Sequence, residues 1–159
     1  MSNLTSPSDK DTDDKKTTIV NRDPDNETIE LSLPVNPAYV SAARLTASSI
    51  ANRLGFDADE IEDLKAAVSE ACIFIIKNAP CDENTFFKLI FVIRRGKPGT
   101  DTGAAMKIEF NCDSIFPETD PSEEMGLMMI KALMDEMVIL TEDKFSIQVM
   151  KNHKTSALL

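Results

Sequence analysis

The sequence predicts an α+β domain: a two-layer α/β sandwich with three helices covering one face of a mixed, mostly antiparallel sheet. Three observations carry that expectation. Residues 57–79 place apolar side chains at steps of three or four over about five helical turns. Phe86–Arg94 and Met106–Phe110 each alternate apolar and polar residues across a Gly- and Pro-containing turn. The elements then fall in the order β, α, α, β, β, α, β, β, which gathers antiparallel strands around a few helices.

Residues 1–27 show neither helical nor strand periodicity and are rich in Ser, Thr, Asp, Asn and Lys. They bury too little to offset the entropy of ordering, so they are expected to form a disordered, acidic and polar tail. The folded domain is placed at 28–151, with 152–159 as a frayed end. Thr28–Leu33 reads as the first strand, with Ile29, Leu31 and Leu33 on one face and Pro34 ending it. Asn36 followed by Pro37 is a helix start, an N-cap and then a proline at the first helical position. Tyr39, Ala43, Ala47, Ile50 and Leu54 form its apolar stripe, and Gly55 suits the position just past its end. Ser41, Arg44, Ser48 and Asn52 lie on the opposite face, open to solvent or a partner.

The long helix follows at once. Asp57 can cap it, Asp59 and Glu60 sit in its first turn where the helix dipole favours negative charge, and Pro80 stops it. Ile61, Leu64, Val68, Ala71, Ile75 and Asn78 make one stripe; Asp63, Ala67, Glu70 and Phe74 make a second beside it. Glu70 and Phe74 therefore share an edge one turn apart. After the strand pair and an irregular stretch at 111–119, Asp120-Pro121-Ser122-Glu123 offers a cap, a proline and an acid of the capping-box kind. The helix it opens is expected to reach about Glu136, followed by a hairpin of Met137–Leu140 and Phe145–Met150. The methionines 125, 128, 129, 134 and 137 read as plastic core packing rather than a binding surface, and His153 stands alone in the frayed end.

Composition narrows the function. With 42% hydrophobic and 28% charged residues, the chain is ordinary for a globular domain. No apolar run is long enough to cross a bilayer and no basic, apolar leader opens the chain, so a cytoplasmic protein without membrane contact is expected. Cys72, Cys81 and Cys112 form no metal-ligand spacing, and no metal site is expected from them. A net charge of −10 repels a phosphate backbone, which argues against nucleic acid and suits a protein partner with a basic surface.

The run IELSLPVNPAYVSAARLTASSIANRLGFDADEIEDLKAAVSEAC (29–72) resembles the first half of the bacterial anti-sigma factor serine kinases, members of the GHKL ATPase superfamily. GLMMIKALMDEMVI (126–139) is similar to the same family's helix after the ATP lid. The resemblance implies a Bergerat-type fold and an ATP site of three pieces. The first is a Glu on the long helix, acting as general base, with a magnesium-holding Asn one turn later; this chain has Glu70 and then Phe74. Magnesium demands oxygen ligands, and a benzyl ring supplies none. The second is an Asp-x-Gly box for adenine, whose positions fall at Cys112, Asp113 and Ser114 without a glycine. The third is a glycine-rich, phosphate-cradling lid end; here it reads Ser122-Glu123-Glu124-Met125-Gly126, keeping Gly126 and adding like charge at Glu124.

Each residue has a plainer reading beside this one. Glu70 is a catalytic base or a polar helix residue, and Phe74 plugs a vacated nucleotide cavity or is ordinary core. Arg44 sits where the family's first helix contacts its sigma factor and anti-anti-sigma factor, or else on a solvated face. The expected function is an anti-sigma-like regulator that binds an alternative sigma factor, a STAS-domain anti-anti-sigma protein, or both, works as a homodimer, and has lost ATP, magnesium and kinase activity. The alternative is an active ATP-dependent serine kinase that uses Glu70.

Overall fold

The structure is a computed structural model, and it describes residues 24–80, 84–113, 124–142 and 144–154. Five strands form a single sheet: β1 (Asn26–Pro34), β2 (Phe86–Arg94), β3 (Ala105–Cys112), β4 (Glu136–Leu140) and β5 (Phe145–Asn152). Their order is β1-β2-β3-β5-β4, and every neighbouring pair is antiparallel. Three α-helices, α1 (Val40–Arg53), α2 (Ala58–Asn78) and α3 (Met125–Leu133), and a 3-10 turn at Pro37–Tyr39 complete the described elements.

The period-2 pattern of the strands decides which face is buried. Leu31, Leu89, Phe110, Ile147 and Ile139 stand opposite one another across all five strands. That row faces the helices; Leu89, Phe110 and Ile147 are fully buried there with Leu64 and Ile75 of α2. The next row, Ser32, Lys88, Asn111, Ser146 and Leu140, lies on the other face of the sheet. No described helix covers it.

The first helix departs from expectation at its start. Asn36 Oδ1 accepts the Ala38 N–H at 2.9 Å, as an N-cap should, but Pro37–Tyr39 form a 3-10 turn before α1 begins. A 3-10 turn advances three residues per turn rather than 3.6, so it rotates Tyr39 off the stripe and leaves it 44% exposed. Ala43, Ala47, Ile50 and Ala51 carry the burial instead. Gly55 takes a φ of 81°, the left-handed geometry that a residue past a helix end requires. α2 opens with a complete capping box: Asp57 Oδ1 accepts from Glu60 N, and Glu60 Oε2 accepts from Asp57 N, both at 2.8 Å. It closes before Pro80, which forces Ala79 into an extended ψ of 150°.

α3 is shorter than its sequence periodicity implies. It ends at Leu133 rather than Glu136, because the Asp135 N–H bonds Met150 O at 2.9 Å and draws Glu136 into β4. It starts at Met125 with Glu124 as an N-cap that makes no side-chain cap bond. The capping box assigned to Asp120, Ser122 and Glu123 lies outside the described residues, as do tail positions 1–23, Cys81 and positions 155–159. β1 begins two residues earlier than the pattern indicated. Asn26 and Glu27, assigned to the tail, pair with Arg94 and Ile93, and Glu27 meets Arg95 at 2.9 Å.

The other end of the domain is corrected as well. β5 runs to Asn152, the His153 N–H bonds Ala104 O at 2.9 Å, and His153 Nδ1 meets Glu60 Oε2 at 2.8 Å. His153 also stacks on Phe56 at 5.6 Å between ring centres. It is not isolated: it fastens the last strand to the start of α2.

Candidate functional site

The two ends of α3 fix how it lies on α2. At its C-terminal end, Lys151 Nζ donates to Leu133 O at 2.7 Å and reaches Asp63 Oδ2, near the start of α2, at 3.3 Å. Lys151 is 5% exposed, a buried cation placed on the negative end of the α3 dipole. At the other end, Gly126 lies against Glu70, two turns further along α2. A Cβ built on Gly126 would come within 2.6 Å of Glu70 Oε2. α3 therefore runs antiparallel to α2, and a glycine permits that approach at its first turn.

This geometry brings two of the sequence-selected residues together. The half-buried Glu70 carboxylate rests at the N-terminal turn of α3, the end of the dipole that favours an anion. Glu124, the residue before α3, is also half-buried, and its carbonyl accepts from Met128 N at 3.0 Å. One carboxylate, that of Glu70, thus lies where the resemblance places a phosphate cradle, with a second acidic residue, Glu124, just before it in the chain.

Phe74 lies one turn beyond Glu70 and points into the core at 6% exposure. Its ring stacks on Phe145 with 5.3 Å between centres and 27° between planes. Phe145 in turn stands opposite Cys112 in the sheet register. Cys112 is buried, facing the helices at the last position of β3. At the sheet end nearest Phe74, an aromatic pair and a thiol thus occupy the ground between helix and sheet. Asn78, one turn past Phe74, spends its amide on Phe74 O at 2.8 Å and so closes the helix end. Asp113 does not face this ground: it sits in the turn after β3, 74% exposed, with Lys144 at 3.8 Å. Ser114 lies outside the described residues. Arg44 is exposed on α1, with no ion pair among the described residues.

Among the described residues, the side chains at these positions offer little to magnesium nucleotide. Phe74 gives no oxygen, Cys112 gives no carboxylate for adenine, and Asp113 turns outward. Among the described residues, no three His, Cys, Asp or Glu side chains cluster closely enough to hold a metal. A large, shallow hollow of about 980 Å³ does exist, but on the opposite face of the sheet, around Lys88, Asn111, Ser146 and Gln148. Neither Glu70 nor Phe74 lines it. Burial pushes the Cys72 thiol up to about 12, which keeps it protonated and unreactive.

Residues 33–151 match the family described as "Histidine kinase-like ATPase domain". This chain belongs to that family. The matched residues span every described element except most of β1, of which they take in only Leu33 and Pro34, and the last residue of β5. Curated relatives named "Serine-protein kinase RsbW" from Bacillus cereus, Bacillus anthracis and Bacillus thuringiensis are 30% identical over 135 residues. The matched region is 79% of this chain and 84% of each relative.

Sequence reasoning missed three participants. In the sequence Phe145 is only a strand residue, because its role depends on the β3–β5 register. Lys151 falls on the helix-facing side of β5 by simple alternation, and that alternation was a usable signal. Glu60 stands out in the sequence as a first-turn acid, although Asp57-x-x-Glu60 also spells a capping box. Among the described residues, no helix is long and apolar enough to cross a membrane.

Proposed function

We propose that this chain is a binding-only member of its family: an anti-sigma-like regulator that holds an alternative sigma factor and yields it to a STAS-domain anti-anti-sigma protein. The observation that carries the reading is the Phe74–Phe145 stack beside Cys112, which fills the ground a nucleotide and its magnesium need. Glu124 adds to it, since an extra carboxylate just before the α3 N-terminus opposes a polyphosphate. Arg44 serves partner recognition: an exposed, permanently charged guanidinium on an otherwise small-residue helix face suits an interface carboxylate. The protein works in the cytoplasm as a homodimer, and the uncovered outer face of the sheet gives the pair a surface to share. There Phe86, Val138 and Leu140 are about half exposed.

Calorimetric titration with Mg-ATP tests this reading. No saturable heat is expected; micromolar binding overturns it. The active-kinase reading keeps one supporting observation, the placement of Glu70 at the α3 N-terminus in a chain whose relatives are named serine-protein kinases. Transfer of labelled phosphate from ATP to a STAS-domain serine decides for that second reading.

Arg44→Glu is expected to weaken binding of the sigma factor by about tenfold or more, a typical cost for an interface arginine. Since Arg44 is exposed, the unfolding midpoint of the variant should match that of the wild type. Unchanged affinity in a pull-down or anisotropy titration assigns Arg44 to a solvated face instead.

A further inference from the structure

The methionine cluster that the sequence assigned to the core is divided in the fold. Met134 is buried and Met137 packs against the core, as expected. Met125, Met128 and Met129 are not: they are 77%, 59% and 45% exposed. The reason is helical phase. α3 buries Leu127 and Ile130 against α2 and the sheet, and this turns 125, 128, 129 and the exposed Ala132 outward as one stripe. Ile73, 39% exposed, sits on α2 one turn past Glu70, and Glu70 touches Gly126 beside Met125. The apolar stripe thus borders a second exposed apolar residue on the neighbouring helix.

An outward helix face built of three methionines is not an ordinary solvent face. Methionine is unbranched and polarizable, and it moulds itself to helical partners of varied shape. The charges around the stripe say which partner. Glu70 and Glu124 lie at its start, Asp135 and Glu136 at its end, and Lys131 is the one cationic residue of α3. The whole chain carries a charge of −10. Anionic headgroups would be repelled by that field, whereas a basic helix would be drawn to it.

We propose that the Met125–Met128–Met129 face of α3, bordered by Ile73, is a docking surface for a basic amphipathic helix of a protein partner. The inference rests on the protein-binding reading above and deepens it by adding a partner face apart from Arg44 on α1. The partner helix lays an apolar stripe along the methionines and sets lysines or arginines over Glu70, Glu124 and Glu136.

The probe is a synthetic helical peptide of about 18 residues, with leucines at i, i+3, i+4 and i+7 spacing and lysines elsewhere. It is titrated into the full chain carrying methyl-labelled methionine. Saturable shifts are expected at the Met125, Met128 and Met129 methyls, with the buried Met106 and Met134 methyls unmoved. Met125→Gln combined with Met128→Gln changes two exposed side chains and leaves the charge unaltered; affinity should fall about tenfold or more while the Met106 signal stays in place. A peptide with glutamate in place of lysine should bind at least about tenfold more weakly.

Several outcomes overturn the proposal. They are absent shifts, equal binding of the glutamate peptide, shifts of the same methyls by phosphatidylcholine vesicles alone, and shifts on concentrating the free protein, which marks a second copy as the occupant. Binding of Mg-ATP would sink the binding-only reading but leave these methyl shifts intact, so the two failures are told apart.

Discussion

Phe74→Ala is expected to lower the unfolding free energy by about 3–5 kcal/mol, as for other buried phenylalanines truncated to alanine. The ring is 6% exposed and stacked on Phe145, so removal forfeits both its burial and an aromatic pair. Phe74→Leu keeps most of the volume and should cost much less. Urea unfolding of the two variants against the wild type measures both. A cost near zero for alanine would mean that the ring lies over a site other groups can fill. Phe74→Asn sharpens the functional side of the prediction. It returns one amide oxygen at the helix position where the family resemblance places a magnesium ligand. It leaves Phe145 and Cys112 where they are, and leaves Asp113 facing solvent. Calorimetry should therefore still find no Mg-ATP binding. Recovery of binding by this single change would mean that Phe74 alone blocks an otherwise working site.

How far this was legible in the sequence depended on the range of the interactions involved. Phe87, Leu89, Phe91 and Ile93 declared β2 through alternation alone, because a half-buried strand has a period of two and nothing distant alters it. α2 declared itself through its apolar stripe and its local cap. The end of α3 did not: Met134-Asp135-Glu136-Met137 keeps a helical period, and only the bond from Asp135 to Met150 O converts it to strand. Tyr39 failed for a related reason, since a 3-10 turn shifts the phase that the stripe assumes. At the candidate site, Phe74 and Cys112 stood out as departures from a familiar pattern. Their common partner Phe145 is visible only once β3 and β5 are in register. The exposure of Met125, Met128 and Met129 was hidden as well. Composition marks methionine as apolar, while the angle at which α3 rests on α2 depends on Lys151 and Gly126 at its two ends.

Glu60→Ala is expected to cost about 2–4 kcal/mol, because one side chain does the work of a helix cap and a tertiary clasp. Its carboxylate accepts from Asp57 N at 2.8 Å and Lys154 N at 2.7 Å, and it meets His153 Nδ1 at 2.8 Å. The last two partners lie 94 and 93 residues away in sequence. Losing the carboxylate therefore frays the start of α2 and also frees the end of β5 from it. Burial by itself would raise this carboxyl. The hydrogen bonds from Lys154, His153 and Asp57, with the charge on His153, outweigh burial and hold it below its ordinary value of 4.5. The sign follows from which state binds protons more readily. Above 4.5 the carboxylate is ionised whether the chain is folded or not, and its whole contribution to stability is present. As pH falls from there through the lower folded value, the unfolded chain takes up the proton first and the contribution drains away. The stability difference between wild type and Glu60→Gln, which keeps the shape but not the charge, should then shrink as pH falls below 4.5. Urea titrations repeated across the acid range measure it. A difference that stays constant down to strong acid would show that the clasp works through shape and neutral hydrogen bonding. In that case His153 would be a packing partner of Phe56 rather than an electrostatic partner of Glu60.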